Sequence, residues 1–255
     1  MTLQEFFQQH PKAALAFSGG TDSAYLLWAG RTWGADVRPY YISTPFQPAW
    51  ERRDAQRLAQ ELGVPLTVVE LDVLSCPQVA ANPKNRCYHC KKALFSALRQ
   101  RAQADGFSLL LDGTNASDDA NDRPGMKALG ELEVRSPLRE CGITKAQVRT
   151  LSREAGLFTW DKPAYACLAT RIPTGTPIVA EDLARVEAGE DALFSLGYTD
   201  FRIRLRGDTG VIQLPEAQMA QAVAQRQTLL DALSPYFSHT VLDLQPRQKE
   251  DLHGQ

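Results

Sequence analysis

The chain has 255 residues, of which 44% are hydrophobic, and its formal net charge is −2. These values are typical of a globular protein with one large domain, or with a main domain and a small appendage. The near-neutral charge excludes a general attraction for nucleic acid, and no apolar stretch reaches membrane-spanning length. Residues 1–12 lack the basic-then-apolar layout of a signal peptide, so we expect a cytoplasmic protein. Five cysteines, an odd number, favour metal or redox chemistry over a disulfide framework.

Strand-like apolar runs alternate with helical patterns over the first 160 residues. This alternation predicts an α/β fold, a parallel sheet with helices on both faces. Ligands of such sheets bind at the carboxyl ends of the strands. The expected strands are 15–17, 37–42, 65–70 and 108–111, and the expected helices are 23–33, 51–62, 91–105 and 144–155.

The pattern changes after residue 160. A proline-rich stretch without periodicity comes first, which predicts a functional loop. A helical pattern, a hairpin, a long helical pattern and a last strand follow, which predict a small α+β domain. These later elements are expected at 181–196, 201–205 with 210–214, 215–233 and 240–244. The predicted domains are 1–160, an active-site loop at 161–178, an α+β domain at 179–246 and a flexible tail at 247–255.

The first strand runs into a glycine turn, Ser18-Gly19-Gly20, after which Asp22 and Ser23 begin a helical pattern. Backbone N–H groups at a helix start bind anions, and adjacent glycines let the main chain approach closely. The two serines add hydroxyl donors, and Asp22 is placed to hold the Mg²⁺ that a polyphosphate brings. The alternative is an ordinary turn with a polar N-cap. No Gly-Lys-Ser/Thr follows, so this is not a Walker loop.

A second strand, at 108–111, ends in Asp112, Gly113 and Thr114. In a parallel sheet it would deliver these residues to the same edge as the glycine turn, which favours a nucleotide contact. The alternative is a plain strand-to-loop turn, where Asp-Gly is common. The acidic stretch at 115–125 is typical of a solvated loop, with Arg123 as a candidate substrate contact.

Cys87 and Cys90 form a Cys-x-x-Cys pair, whose thiolates can share one metal or cluster or act as a redox couple. A zinc site would need a second such pair or paired histidines, and the sequence has neither. The alternative is two buried cysteines. The basic neighbours Arg86 and Lys91 favour reactive or ligating thiolates instead.

A third cysteine of interest, Cys167, lies in the proline-rich loop with Arg171 one helical turn further on. A thiolate near an arginine can attack an activated carboxyl group. It can also join the Cys-x-x-Cys pair as third ligand of a [4Fe–4S] cluster, for which the usual count is four. An inert loop cysteine is the alternative.

Three arginines alternate along the expected hairpin strand and so share one face: Arg202, Arg204 and Arg206. Arginine holds phosphate through paired hydrogen bonds, which makes this face a candidate for a substrate phosphate. A solvated hairpin face is an equal alternative. Glu187 and Glu190 on the preceding helix are weaker candidates for a metal.

Taken together and in this order, the motifs resemble the LarE family of ATP-dependent sulfur transferases, within the PP-loop ATP pyrophosphatase superfamily. The glycine turn is common to the whole superfamily, whereas the later blocks are more specific. The blocks that carry the resemblance lie at 18–23, 85–91, 112–115, 123–125, 135–138 and 162–171.

The resemblance implies a reaction in which ATP and Mg²⁺ adenylylate a carboxylate of a pyridinium dicarboxylate mononucleotide and pyrophosphate leaves. A sulfur nucleophile then displaces AMP to give a thiocarboxylate, a step in nickel-pincer nucleotide synthesis for lactate racemase. The sulfur would come from a [4Fe–4S] cluster on Cys87, Cys90 and Cys167, or from Cys167 sacrificed. The phosphate of this small-molecule substrate would meet Arg171 or the hairpin arginines, and we expect a homo-oligomer. The implied ATP contacts are Ser18, Gly19, Gly20, Asp22, Ser23, Gly113 and Thr114.

Three other functions share parts of this pattern. A tRNA thiolase of the same superfamily is disfavoured by the net charge and by the lack of paired zinc motifs. An amide-forming ligase of the NAD-synthetase type would not require Cys167. A non-catalytic nucleotide-binding module would release no pyrophosphate.

Overall fold

The computed structural model describes residues 1–118, 124–163 and 165–247. Arg123 and positions 248–255 of the predicted tail lie outside these ranges. Two 3₁₀ turns, Val73–Ser75 and Leu168–Arg171, accompany the regular elements. In chain order these are α1 (Leu3–Gln9), β1 (Lys12–Ala16), α2 (Thr21–Thr32), β2 (Asp36–Ser43), α3 (Ala49–Glu61), β3 (Thr67–Glu70), α4 (Pro77–Ala80), α5 (Arg86–Ala104), β4 (Leu110–Leu111), α6 (Pro124–Glu131), α7 (Pro137–Glu140), α8 (Lys145–Glu154), α9 (Ala180–Ser195), β5 (Arg202–Arg206), β6 (Thr209–Gln213), α10 (Glu216–Ala224), α11 (Arg226–Leu233) and β7 (His239–Leu242).

The chain forms two compact units. The first comprises Met1–Val73 and Asn85–Lys162, and the second comprises Leu74–Lys84 and Pro163–Gln255. The sequence pattern places the short segment 74–84 within the first domain, whereas its contacts are with the second unit. Among the described residues, no helix combines the length and the apolar character that crossing a membrane would need.

The first unit contains a four-stranded parallel sheet in the order β3-β2-β1-β4. Its central strand β1 is buried on both faces. Ala13 and Leu15 pack into a core with α2, α3 and α8, whereas Ala14 faces Leu98 and Ala102 of α5 on the other side. Side chains of a strand alternate between faces, so this run requires helices above and below the sheet. The predicted α/β fold class is confirmed.

The helix α5 begins at Arg86, five residues before the start expected from the sequence. Cys87 and Cys90 therefore lie in its first turns and not in a loop before it. The N–H of Tyr88 donates to the carbonyl of Asn85 at 3.0 Å, which closes the first turn. This turn is polar and half-exposed, so no apolar periodicity marks it in the sequence.

The second unit contains a three-stranded sheet in the order β5-β6-β7, with β5 and β6 antiparallel. The predicted hairpin is present, and Gly207 in its turn has a φ of 59°. The predicted single helix over 215–233 is wrong, because Gln225 has a ψ of 18° and separates α10 from α11. The hydroxyl of Tyr198 donates to the side chain of this glutamine at 3.0 Å.

The segment 74–84 is attached to the second unit through Asn82. This residue is fully buried and has a φ of 53°. Its side-chain amide donates to the carbonyl of Pro173 at 2.9 Å, and its own carbonyl accepts from the N–H of Gly175 at 2.8 Å. A left-handed asparagine of this kind is held by its surroundings, so these bonds fix the end of the cysteine loop.

A substitution at Gly30, in the middle of α2, tests how tightly the first unit is packed. A Cβ at Gly30 would lie 2.5 Å from Cγ2 of Val37 and 2.9 Å from the ring of Phe7. We expect Gly30→Ala to lower the free energy of unfolding by about 1–3 kcal/mol because it overpacks the core. Gly130→Ala in α6, where nothing lies within 4 Å, is the control and should be neutral or stabilising. Urea unfolding measures both, and equal midpoints would contradict the packing argument.

Candidate functional site

The glycine turn between β1 and α2 is packed tightly against a neighbouring helix. Gly19 has a φ of +70°, and a Cβ there would lie 3.0 Å from the backbone N and Cα of Ala55 in α3. Gly20 is the N-cap of α2 and has no side chain with which to cap it. The first N–H groups of α2 therefore point out of the helix end, where an anion can accept from them.

The second predicted strand end lies beside this turn. A Cβ at Gly113 would come within 3.1 Å of the backbone N of Ser23, so the two backbones touch at the start of α2. Asp112 organises this end, since its carboxylate accepts from the hydroxyl of Ser136 at 2.6 Å and from the N–H of Thr114 at 3.2 Å. The structure thus brings both sequence-predicted segments to one edge of the sheet.

Asp22, in the first turn of α2, is held by a lysine that the sequence did not single out. Its Oδ2 accepts from Nζ of Lys145, and its Oδ1 lies 3.4 Å from the amide Nδ2 of Asn115. Burial raises the pKa of the Asp22 carboxyl, an effect that Lys145 opposes and the nearby charge of Asp118 reinforces. Lys145 is the first residue of α8 after the capping residue Thr144.

A second lysine, at the start of the predicted loop 161–178, is bound to the glycine turn. Nζ of Lys162 lies 3.5 Å from the carbonyl of Gly19 and 2.7 Å from Oδ2 of Asp54. A further hydrogen bond joins the same two segments: the hydroxyl of Thr21 donates to the carbonyl of Thr159 at 2.7 Å. The sequence placed Lys162 in the loop 161–178 and in the block 162–171, but no local pattern pointed to Asp54 as its partner.

A cavity of about 380 Å³ opens at this edge of the first unit. One part of its wall is apolar and aromatic, and the other part is polar and rich in carboxylates. The apolar part suits a flat aromatic group, and the polar part adjoins the glycine turn. The apolar wall includes Tyr40, Ile42, Leu94, Phe95 and Leu98, and the polar wall includes Ser18, Asp22, Ser23, Lys91, Asp112, Thr114 and Asp118.

The three cysteines of interest are divided between the units. Cys87 is exposed and Cys90 half-buried on α5 of the first unit, and Nη2 of Arg86 lies 3.9 Å from Sγ of Cys87. Cys167 is half-buried in the second unit, where its carbonyl accepts from the hydroxyl of Thr170 at 2.9 Å. Within either unit, no three Cys, His, Asp or Glu side chains of the described residues form a metal-binding group.

Arg171 and Glu190 form a buried ion pair in the second unit. Nε of Arg171 lies 2.7 Å from one carboxylate oxygen, and Nη2 lies 3.0 Å from the other. Nη1 donates to the carbonyl of Ala166, next to Cys167, and Tyr165 donates to the same carboxylate. Both groups serve this internal network, which holds the cysteine loop. Their predicted roles, phosphate contact and metal ligand, stay predictions that would require the network to open.

The hairpin arginines follow β5 from the interior to the surface. Arg202 is only 3% exposed, which contradicts a solvated face at this position, whereas Arg204 is half-buried and Arg206 is exposed. Burial and the neighbouring charges of Arg247, Arg171 and Arg204 lower the pKa of Arg202 to about 10. Nη2 of Arg202 and Nε of Arg247 are buried without a hydrogen-bond partner in the described part of the chain. Glu187, half-buried on α9, stays an untested metal candidate.

The fold and this edge define an α/β protein with a glycine turn between an inner parallel strand and the next helix, where the first helix N–H groups have no side-chain cap. No model of a protein family matches the sequence. The chain is 36% identical over 256 residues to an uncharacterised protein of Synechocystis sp., spanning 98% of this chain and 95% of that protein. It is 27% identical over 246 residues to an uncharacterised protein of Methanocaldococcus jannaschii, spanning 95% of this chain and 93% of that protein.

A third relative has a named activity. The pyridinium-3,5-bisthiocarboxylic acid mononucleotide synthase of Lactiplantibacillus plantarum is 33% identical over 246 residues, spanning 95% of this chain and 89% of that protein. The chain therefore belongs to the LarE family, that of this synthase, and it is an enzyme.

The buried ion pair generates a prediction for the second unit. Glu190→Gln keeps the shape but leaves Arg171 charged and uncompensated, so we expect a loss of about 3–5 kcal/mol in unfolding free energy. Asp208→Asn, which removes an exposed partner of Arg185, should cost less than about 1 kcal/mol. Chemical denaturation measures both changes, and thiol labelling should show faster reaction of Cys167 in Glu190→Gln. Similar losses in the two variants would contradict this account.

Proposed function

We propose that the chain is an ATP-dependent sulfur transferase of nickel-pincer nucleotide synthesis. It would adenylylate a carboxylate of a pyridinium dicarboxylate mononucleotide and then replace AMP with sulfur. The named relative supports the product class, since its name specifies a bisthiocarboxylic acid mononucleotide. The main support for the reaction with ATP is the close packing of two glycines at the sheet edge. Gly19 packs against α3, and Gly113 packs against the start of α2.

The first unit supplies the groups that this step needs. The free N–H groups at the start of α2 and the hydroxyls of Ser18 and Ser23 would donate to phosphate oxygens. The apolar wall with Tyr40 and Phe95 would hold the adenine. Asp22 fits a Mg²⁺ ion, because its carboxylate lines the cavity and Mg²⁺ needs only one or two carboxylates besides phosphate oxygens. When bound, Mg²⁺ stabilises negative charge on the departing pyrophosphate.

The chemistry then proceeds in two displacements. A carboxylate oxygen of the substrate attacks the α-phosphorus of ATP, and the bond to the bridging oxygen breaks as pyrophosphate leaves. This converts a poor electrophile into an acyl phosphate, whose AMP is a good leaving group. A sulfur nucleophile attacks the carbonyl carbon, AMP departs, and a thiocarboxylate remains. The residues of the glycine turn orient ATP for this attack.

Arg202 is our proposed contact for the substrate phosphate. Its unpartnered Nη2 and the unpartnered Nε of Arg247 are two buried donors on cationic groups. Burying such donors costs free energy that a phosphate would recover. Arg204 and Arg206 on the same strand face extend the positive charge toward the surface.

For the sulfur source we propose a [4Fe–4S] cluster held by Cys87, Cys90 and Cys167. Cys87 and Cys90 suit this use, because residues three apart lie on the same face of a helix and their thiols are not buried. Three ligands leave one iron open, to which an additional sulfide could bind when the cluster is present. Sacrifice of Cys167 itself is the alternative source: its thiolate would form a thioester as AMP leaves, and β-elimination would then break its Cβ–Sγ bond, release the thiocarboxylate and leave dehydroalanine.

A glycine substitution tests the nucleotide step. Gly19→Ala is strained at φ +70° and pushes against Ala55, so we expect pyrophosphate release from ATP with the dicarboxylate substrate to fall at least about tenfold. Gly34→Ala is the matched control, since its φ is +82° but nothing lies within 4 Å. It should share the backbone strain and keep its activity. Equal pyrophosphate release by the two variants would contradict the proposal that the glycine turn binds ATP.

A cysteine substitution tests the sulfur source. After anaerobic reconstitution, we expect Cys87→Ala to lose its iron, its visible absorption and its sulfur transfer together. Cys141→Ala, a half-buried cysteine of the same unit, is the control and should keep all three. If Cys87→Ala still transfers one sulfur per chain, Cys167 is the donor and the cluster is excluded.

A further inference from the structure

We propose that Lys91 binds a phosphate oxygen of the nucleotide in the cavity of the first unit. Gly125 leaves the space that the lysine side chain needs to reach this position. This inference rests on the proposed function, because it takes the cavity to be the nucleotide site. Neither residue was assigned such a role from the sequence. The inference is based on two observations: Lys91 lines the cavity, and Gly125 packs closely against its side chain.

The direction of α5 places Lys91 at the end of the cavity where phosphates would lie. A helix that joins parallel strands runs back across the sheet, so the start of α5 lies at the carboxyl edge. Lys91 lies in its second turn, and Leu94, Phe95 and Leu98 continue the same helix face at helical spacing. The apolar residues of this face thus follow the lysine deeper into the wall.

The charges of the cavity wall single out this lysine. Four of the described lining residues are carboxylates, Asp22, Glu51, Asp112 and Asp118, and Lys91 carries the only positive charge among them. A nucleotide entering a wall of this composition needs a cation to offset repulsion from its phosphates.

Lys91 also differs from three other lysines of the unit, each of which pairs with a carboxylate. Lys92 pairs with Glu131, Lys145 with Asp22, and Lys162 with Asp54. No described carboxylate forms an ion pair with Lys91. Its ammonium group therefore remains available for an anionic ligand within the described chain.

Gly125 leaves room for the stem of this lysine. A Cβ at Gly125 would lie 2.7 Å from Cδ and 2.9 Å from Cε of Lys91. Any side chain at this position would displace the far end of the lysine. Since that end is flexible, an added methyl group would move the ammonium while leaving the fold intact.

The test compares nucleotides with and without a phosphate, using calorimetric titration of the full chain. We expect Lys91→Met to weaken AMP binding by about 10- to 100-fold, the size of one hydrogen bond to a charged group. Adenosine binding should stay within about twofold, because the apolar wall is unchanged. Lys92→Met is the control, since the neighbouring lysine does not line the cavity, and it should bind both ligands normally.

A second variant moves the ammonium without removing it. We expect Gly125→Ala to weaken AMP binding by about three- to tenfold and to spare adenosine, whereas Gly130→Ala in the same helix should have no effect. Lys91→Arg should bind AMP better than Lys91→Met, because it restores the charge.

Two results would overturn the assignment. One is wild-type AMP affinity in Lys91→Met, and the other is an equal loss for adenosine and AMP, which indicates general damage to the site. Pyrophosphate release separates this failure from failure of the proposed function. A wild-type protein that releases pyrophosphate while Lys91→Met binds AMP normally refutes only the role of Lys91. A selective loss of AMP binding without pyrophosphate release in the wild type refutes only the proposed reaction.

Discussion

The close contact between the glycine turn and α3 is the constraint on which the proposed nucleotide site depends. A Cβ at Gly19 would lie 3.0 Å from the backbone of Ala55, so only a glycine allows the turn to lie there in a left-handed conformation. Lys162 and Thr21 attach the turn to the chain at 159–162, and Gly113 presses on the start of α2 from the other side. A turn fixed on three sides presents its N–H groups in one geometry, which preorganises the site.

The two units differ in the sign of the charge that predominates at their candidate sites: negative in the first unit and positive in the second. In the first unit, carboxylates predominate in the described wall of the cavity, where Lys91 is the one lining cation and Lys145 pairs with the lining residue Asp22. Such a wall suits a ligand that arrives with its own cations. In the second unit, guanidinium groups predominate at the base of β5, and one buried carboxylate, Glu190, is committed to Arg171. The excess positive charge there is compatible with an anionic substrate group.

The sequence predicted what local signals encode. Alternating apolar and helical patterns were enough for the parallel sheet, and two glycines after a strand were enough for the tight turn that begins α2. The roles of Lys145 and Lys162 depend on partners more than 100 residues away along the chain, which no local pattern records. The burial of Arg202 was missed for the same reason, since strand alternation says which face a residue is on but not what covers it.

Residues 74–84 interrupt the sequence of the first unit but belong to the second, and this affects the order in which the second unit can fold during synthesis. Asn82 emerges from the ribosome 90 residues before Ile172 and 91 before Pro173, the carbonyls to which its amide donates. At a synthesis rate of about 5–20 residues per second, this segment waits about 5–20 s for its partners. The segment that forms the helix with Cys87 and Cys90 is synthesised within this interval. The second unit thus assembles around a piece of chain supplied early, and no single cut in the sequence yields either unit whole.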